Sequence, residues 1–404
     1  VYVLERRQFI KSAGLSAAVL GSSGLWNIAK GVDQKFNVGI IGFGDRGSGI
    51  YNTLLKLSDK YKVVSICDEL DFRLENARKA SAGRTVALHK DYRKLLEDKS
   101  LDAVVVSTPL YLHFEHGKAV LEAGKHLYLE KTMTFQLDQA LNLEKITQHY
   151  PKQIVQVGHQ YRYSPLYFKV KDYIQKGYLG KVTSIDARWD RNWNWKRAVH
   201  DPSLERKINW RMYKDYSGGL VAELLSHQMD FIHWAFETSP SSLYSTGGID
   251  FYKDGRETFD NVQLTVRYDK AGMVGNFGAT CANQHEGYSF KIKGSKGMIN
   301  LLTNEGMFYP EPESRAALEE VDGVSSATPL IWAADKKGIQ LTKEPTLDGT
   351  IYALEAFYDS VAKAQMPESN VNTGGKTAIS VALANESLYS GKIQEWKPEY
   401  NIGE

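Results

Sequence analysis

Gly42, Gly44 and Gly47 form a G-x-G-x-x-G whose variable positions are Phe43, Asp45 and Arg46. Between a strand and a helix, such a loop lets the backbone approach a pyrophosphate, whose charge then rests against the helix N-terminus. The chemistry offered is dinucleotide binding. About 20 residues beyond Gly47 stands Asp68, where the dinucleotide fold places the acid that binds the adenosine ribose hydroxyls. Glu69 follows; a second carboxylate repels a ribose 2′-phosphate, so NAD is favoured over NADP, with Arg73 acting in the opposite sense. Glu223 and His227 are four residues apart and fall on one helix face. The pair could begin a metal site, but no further ligands accompany it, and no metal is expected. Trp189, Trp193, Trp195 and Trp210 are interleaved with Asp190, Arg191, Asn192, Asn194, Lys196 and Arg197. Aromatic faces beside hydrogen-bonding groups suit sugar rings; packing of a sheet or an oligomer interface is the alternative.

The elements that must position these residues follow from periodicity. An apolar run from Phe36 precedes the glycines, Ile50, Leu54 and Leu57 recur at helical spacing after them, and Tyr61–Cys67 reads as a buried strand. Asp102–Pro109 is a near-continuous apolar run, as in a parallel strand covered on both faces. His113–Ala123 reads as a helix closed by Gly124, and Lys125–Leu129 as a strand running into Glu130, Lys131 and Thr132. A helix over Leu137–His149 and a strand over Ile154–Val157 complete a doubly wound parallel sheet. Its ligand is expected beyond the carboxyl ends of the strands. Thr108, Pro109, His113, Glu130, Lys131 and His159 lie at or just after those ends and join the loop and Asp68 as candidate cofactor contacts.

Past Pro165 the pattern changes. After a helix over Leu166–Lys176, Val182–Trp189, Asn261–Tyr268, Gly272–Ala279, Tyr288–Lys293 and Met298–Leu301 are runs of period two. They predict an α+β domain with an open, largely antiparallel sheet, whose exposed face suits a homo-oligomer. Residues 304–350 read as irregular, and Ile351–Ala364 as a helix returning to the core. The expected organisation is therefore an α/β chain: a leader over 1–34, a Rossmann domain over 35–160 and a substrate or oligomerisation domain over 161–404. The 404 residues carry a net charge of +2, which gives no reason to expect nucleic acid or an anionic membrane as partner. The two cysteines, Cys67 and Cys281, cannot build a disulfide framework. Arg6 and Arg7 followed by a short run of small apolar residues resemble a twin-arginine export signal, which implies a periplasmic protein. No stretch is long and apolar enough for a membrane helix.

Taken together, GIIGFGDRG, AVVVSTPLYLH, AGKHLYLEK, VGHQYRYSP, Ser217-Gly218-Gly219 with Glu223, His227 and Asp230, and IKGSKGMINL resemble the family of glucose-fructose oxidoreductase, inositol dehydrogenase and the rhizopine-catabolism proteins. The resemblance covers roughly residues 36–390. It implies that Lys131 acts on a substrate hydroxyl beside the nicotinamide and that His227 is a second acid or base, with Glu223 beside it. Tyr161 and Arg162 at the domain junction, with Trp210 and Arg211, are the implied substrate contacts. Three positions depart from the pattern: Thr132 replaces a proline that would give a cis bond, Leu110 an asparagine, and Glu223 an aspartate. The expected activity is hydride transfer from a ring carbon of a sugar or glycoside to tightly bound NAD, by a 3-keto-glycoside route. A glycosidase or lyase that uses NAD catalytically is the alternative, since Arg46 matches a G-x-G-x-R-G loop of exported members that cleave glycosidic bonds by transient oxidation. A non-catalytic sugar-binding protein is the third reading.

Overall fold

The computed structural model describes residues 35–302, 305–311, 338–342 and 346–403; the export-signal reading of residues 1–34 lies outside them. Six strands form the first sheet: β1 (Phe36–Ile41), β2 (Tyr61–Cys67), β3 (Ala87–His89), β4 (Ala103–Val106), β5 (His126–Leu129) and β6 (Val155–Val157). Their order is β3-β2-β1-β4-β5-β6, every pairing parallel. This is the doubly wound arrangement expected, with the order reversing at β1. Its β-branched and leucine-rich central strands are buried on both faces. The short, half-exposed β3 gave no periodic signal.

Helices α1 (Asp45–Lys56), α2 (Asp71–Ala80), α3 (Tyr92–Leu96), α4 (His113–Glu122) and α5 (Leu137–Gln148) connect these strands, and α6 (Pro165–Gln175) leads away from them. The second sheet holds β7 (Val182–Trp189), β8 (Ser242–Gly248), β9 (Asn261–Tyr268), β10 (Met273–Thr280), β11 (Tyr288–Gly294), β12 (Gly297–Leu301), β13 (Gly306–Pro310), β14 (Ile339–Gln340) and β15 (Gln394–Glu395). Its order is β14-β13-β12-β11-β7-β10-β9-β8-β15, antiparallel except where β7 meets β10. Two helices precede the return of the chain, α7 (Glu205–Ile208) and α8 (Ser226–Phe236). Residues 304–350, expected to be irregular, contain β13 and β14. Gly306 is needed at the start of β13 because a Cβ there would stand 2.8 Å from a methyl of Leu301.

Helix α9 (Gly349–Lys363) returns to the first sheet, near the expected bounds. Ala353, Leu354 and Phe357 pack with Val38, Tyr61 and Tyr128 in one buried cluster. The Tyr61 hydroxyl donates to Leu354 O at 2.6 Å, and Gln156 Nε2 to Ala353 O at 2.7 Å. The last helix, α10 (Val371–Ser390), was not legible in the sequence. Its Gly374 and Gly375 look like a turn, yet a Cβ on Gly374 would lie 2.6 Å from Val157, so the glycine is what allows α10 to seat against β6.

Because Phe357 is 1% exposed and fastens α9 to the Rossmann sheet, Phe357→Ala is expected to lower stability by about 3–5 kcal/mol, as read from urea unfolding. A loss below about 1 kcal/mol would show that α9 does not belong to the folded unit of the first sheet.

Candidate active site

The glycine loop is built by steric necessity. Gly42 has φ of 93°, and a Cβ there would lie 2.8 Å from the Ser107 backbone. At Gly47 a Cβ would sit 2.0 Å from Gly42 O, so this helix residue shapes the loop without lining the cavity. Helix α1 then starts at Asp45 with Gly44 as its N-cap and no capping side chain, which leaves its first N–H groups for a ligand. Phe43 contributes its backbone: its N–H donates to Asp68 Oδ2 at 2.8 Å, while its ring is buried against Tyr51. Leu70 N–H donates to Asp68 Oδ1 at 3.0 Å, and Arg73 stands 3.6 Å from the same carboxylate. Asp68 thus lies, oriented, at a cavity of about 350 Å³ that also touches Gly42, Thr108 and Pro109. A glycine cradle, an uncapped helix start and an oriented acid fit a dinucleotide.

Thr108, Pro109 and Arg73 are shared with a second cavity of about 380 Å³. Gly44, Asp45 and Arg46 form one wall of it, His113, Glu130 and Lys131 its floor, and Tyr161, Trp210, Arg211, Glu223 and His227 the side contributed by the second domain. These expected residues, drawn from distant stretches, meet in one place.

Lys131 is the joint. Its Nζ donates to Glu223 O at 2.8 Å and Ala222 O at 3.2 Å. Both carbonyls belong to a π-helical turn, Val221–Leu225, that precedes α8 and offsets them from the regular ladder. Ala222 O also accepts from Thr132 Oγ1 at 3.2 Å and Ser226 Oγ at 2.7 Å. The Lys131–Thr132 bond is cis although Thr132 is not a proline, as the replaced proline would have it. The Thr132 carbonyl lies 2.8 Å from His113 Nδ1, and His113 Nε2 is 3.0 Å from Thr108 O. Burial pushes His113 below its ordinary pKa, so the ring is neutral and only one of these contacts is a donated hydrogen bond.

Burial lowers the Lys131 pKa against the opposing pull of Glu223 and Glu130. His227 is pushed well below its ordinary value, first by burial and then by Lys131 and His159. Its Nδ1 has no hydrogen-bond partner, and Tyr161 and Trp189 flank the ring at 4.8 Å and 5.5 Å. Glu223 is held below the usual carboxylate range: burial would raise it, and Arg211, whose Nε is 2.8 Å away, with Lys131 outweighs that. Arg46 donates to Glu130 at 2.9 Å and to Thr350 Oγ1 at 3.0 Å. Among the described residues no group of three or more His, Cys, Asp or Glu side chains could hold a metal.

Three expectations are corrected. Arg162 does not reach the cavity; it is 2% exposed and paired with Asp230, Nε to Oδ2 at 2.7 Å and Nη2 to Oδ1 at 2.9 Å. Two buried charges must be paired, and that requirement outweighs its place beside Tyr161. His159, 1% exposed, lies behind His227, 6.1 Å ring to ring, and 3.5 Å from Asp230. It backs the wall instead of lining it. Of the four tryptophans, Trp189 and Trp210 line the cavity, whereas Trp193 is 60% exposed. Arg191, Arg197 and Gln160 also line the cavity; no motif marked them as site residues, although the tryptophan-rich segment contained the first two.

Residues 36–159 match the family model described as the oxidoreductase family with an NAD-binding Rossmann fold, and residues 167–300 that of the GFO/IDH/MocA C-terminal domain. Among curated relatives, the scyllo-inositol 2-dehydrogenase (NADP(+)) of Bacillus subtilis is 26% identical over 60% of this chain and 62% of its own length. An inositol 2-dehydrogenase/D-chiro-inositol 3-dehydrogenase of Lactiplantibacillus plantarum is 26% identical over 49% of this chain and 51% of its own. The chain thus spans between about half and three fifths of the length of these relatives. A levoglucosan dehydrogenase solved with NADH superposes with a TM-score of 0.72 at 19% identity, over 90% of this chain and 99% of that one. An oxidoreductase domain protein from Kribbella flavida gives 0.72 at 20% identity, over 89% and 99%.

The buried rings set the acid side of the stability profile. Burial lowers His116 and His159 to about 4 and His233 to about 3, whereas unfolded histidines titrate near 6.5. The folded pKa values being the lower, this stability is present above pH ~6.5 and is lost as the pH falls toward 4. Urea midpoints should be level above pH ~7 and decline below ~6.5, each ring contributing up to ~1.4 kcal/mol per pH unit. Level midpoints down to pH ~4.5 would contradict neutral burial.

Proposed function

The chain belongs to the GFO/IDH/MocA oxidoreductase family, and from that premise we propose that it oxidises a ring hydroxyl of a sugar or glycoside to a 3-keto product, passing the hydride to NAD that stays bound and is reoxidised in place by a separate carbonyl-bearing acceptor. The observation that carries this reading is the hydrogen bonding of Lys131. A neutral amine has two N–H donors and one lone pair, and here both donors have carbonyl acceptors, Ala222 O and Glu223 O. The lone pair of the neutral form is therefore left to accept a proton from a substrate hydroxyl, and the lowering of the pKa by burial favours that form. When bound, the nicotinamide supplies the hydride acceptor. The uncapped start of α1 would hold the pyrophosphate and Asp68 the adenosine ribose; Glu69 beside it supports NAD over NADP. Neutral His227 is the second proton acceptor, and the Glu223–Arg211 pair orients hydroxyls.

A second reading, a glycosidase or lyase in which oxidation is transient and the cofactor is restored in place, is supported by the ion pairs that cross from the second domain. Arg197 pairs with Asp45 of the loop, and Lys207 with Glu69 at 2.5 Å. They strap residues 190–208 over both ends of the dinucleotide groove and favour a retained cofactor. Arg6 and Arg7 support twin-arginine export to the periplasm after the cofactor is loaded, and the open face of the second sheet supports a homo-oligomer.

NMR of products from simple glycosides incubated with the protein, without added NAD, separates the readings. A keto-glycoside formed in proportion to enzyme or added acceptor is expected; free sugar and aglycone at catalytic turnover would favour the second reading instead. Lys131→Met is expected to lower kcat by roughly 10²–10⁴-fold while the nucleotide released on denaturation shows the cofactor still bound. Full turnover by this variant would remove Lys131 from the chemistry.

A further inference from the structure

The cationic side chains of the cavity are compensated, with one exception. Arg46 is paired with Glu130, Arg73 with Asp68, Arg197 with Asp45 and Arg211 with Glu223, and Lys131 rests on two carbonyls. Among the described residues, the Arg191 guanidinium has no hydrogen-bond or ion-pair partner; its contacts are the faces of Trp189 at 5.3 Å and Trp195 at 5.6 Å. Its backbone is fixed, N–H to Thr280 O at 2.8 Å, and the next residue, Asn192, bridges to Ala282. The side chain is half-buried and lines the cavity. Burial draws it below its ordinary pKa, with Glu223, Tyr161 and Arg211 among the groups bearing on it. Those neighbours belong to the substrate side. The loop that would hold the pyrophosphate has other cations: Arg73, whose Nη1 lies 3.4 Å from where a Gly44 Cβ would be, and Arg197 on Asp45.

An uncompensated, partly desolvated guanidinium raises the energy of the empty site, and a bidentate oxoanion relieves it. We propose that the sugar taken by this cavity carries an oxoanion, which Arg191 holds against the Trp189 face. This rests on the sugar-oxidising reading of the same cavity and adds to it the charge of the substrate. Trp189 also stands 5.5 Å from His227 and 6.4 Å from Tyr161, so an anion on Arg191 and a ring hydroxyl near His227 belong to one bound sugar. Carboxylate, sulfate ester and phosphate ester all meet the geometric demand, and they differ in charge and shape enough to be told apart by affinity.

The test measures binding and turnover separately on the cofactor-loaded protein. Titration calorimetry is run with methyl β-D-glucoside, methyl β-D-glucuronide, glucose 6-sulfate and glucose 6-phosphate, and hydride transfer is followed for each. At least one anionic sugar should bind roughly tenfold or more tighter than the neutral glucoside. Arg191→Gln should abolish that ratio through KM more than kcat, and Arg191→Lys should restore part of it. Equal affinity for neutral and anionic sugars in the native protein, or a preference that survives Arg191→Gln, overturns the proposal. If anionic sugars bind preferentially through Arg191 and none is oxidised, the oxidation reading fails and the Arg191 assignment stands. If the glucoside is oxidised with no anionic preference, the reverse holds.

Discussion

The contact on which the site depends is that of one lysine with two backbone carbonyls of another domain. Lys131 sits just beyond β5 of the Rossmann sheet, and its Nζ reaches Ala222 O and Glu223 O in the turn before α8. Those carbonyls lie in the π-helical turn, where Glu223 O accepts from Lys131 and Ala222 O from both Lys131 and Thr132. The same turn carries Glu223 into the cavity and sets His227 at the start of α8. Because a hydrogen bond contributes a net of about 0.5–1.5 kcal/mol and a buried carbonyl left without one costs about 1–3 kcal/mol, two such bonds can fix both the position of the amine and the register of the domains that enclose it.

Behind that contact lies an order of burial that determines what each charged group can do. Arg162 and Asp230 are almost completely enclosed and bidentately paired, so their role is to hold α8 against the start of α6. Removing either partner would leave a buried charge, at a cost of about 3–5 kcal/mol. One layer forward, burial holds His159 below its ordinary pKa against the pull of Asp230, and His227 is lowered by burial with Lys131 and His159 acting in the same direction. At the cavity itself the Arg211–Glu223 and Arg46–Glu130 pairs are partly exposed and still hydrogen-bonded. Charge therefore becomes more available from the back wall to the cavity.

Local spacing made the cofactor half legible. The three glycines, Asp68 and the strand ends all lie within units of about 30 residues, and the positive φ of Gly42 and the close approach of Gly47 to Gly42 O are local. The substrate half depended on contacts between residues far apart in the chain, and there resemblance supplied what periodicity could not. Tyr161 and Arg162 are neighbours, yet the tight turn Gln160–Tyr163 sends one ring to the cavity and the other side chain to Asp230. Nothing in the segment itself separates them. Helix α10 was hidden for a related reason: Gly374 serves close packing against β6, but in sequence a glycine pair signals a break. Arg191 stood among the tryptophans, and its lack of a counter-charge is visible only when the partners of the other cations are known.

What positions the segment over the groove follows from magnitudes. Arg197 and Asp45 are 53% and 80% exposed, Lys207 and Glu69 47% each, and exposed pairs contribute only about 0.2–1 kcal/mol. They cannot by themselves order a strap that carries the cavity residues Arg191, Arg197 and Ile208. Asn209 can. It is 2% exposed, accepts from Arg197 N–H at 2.7 Å, and donates to Arg197 O at 2.9 Å and to Glu205 at 3.1 Å. One buried amide thus closes the loop on itself and presents Arg197 and Lys207 already in place. The surface ion pairs then need only choose where the preformed strap rests, which is a task their small energies can perform.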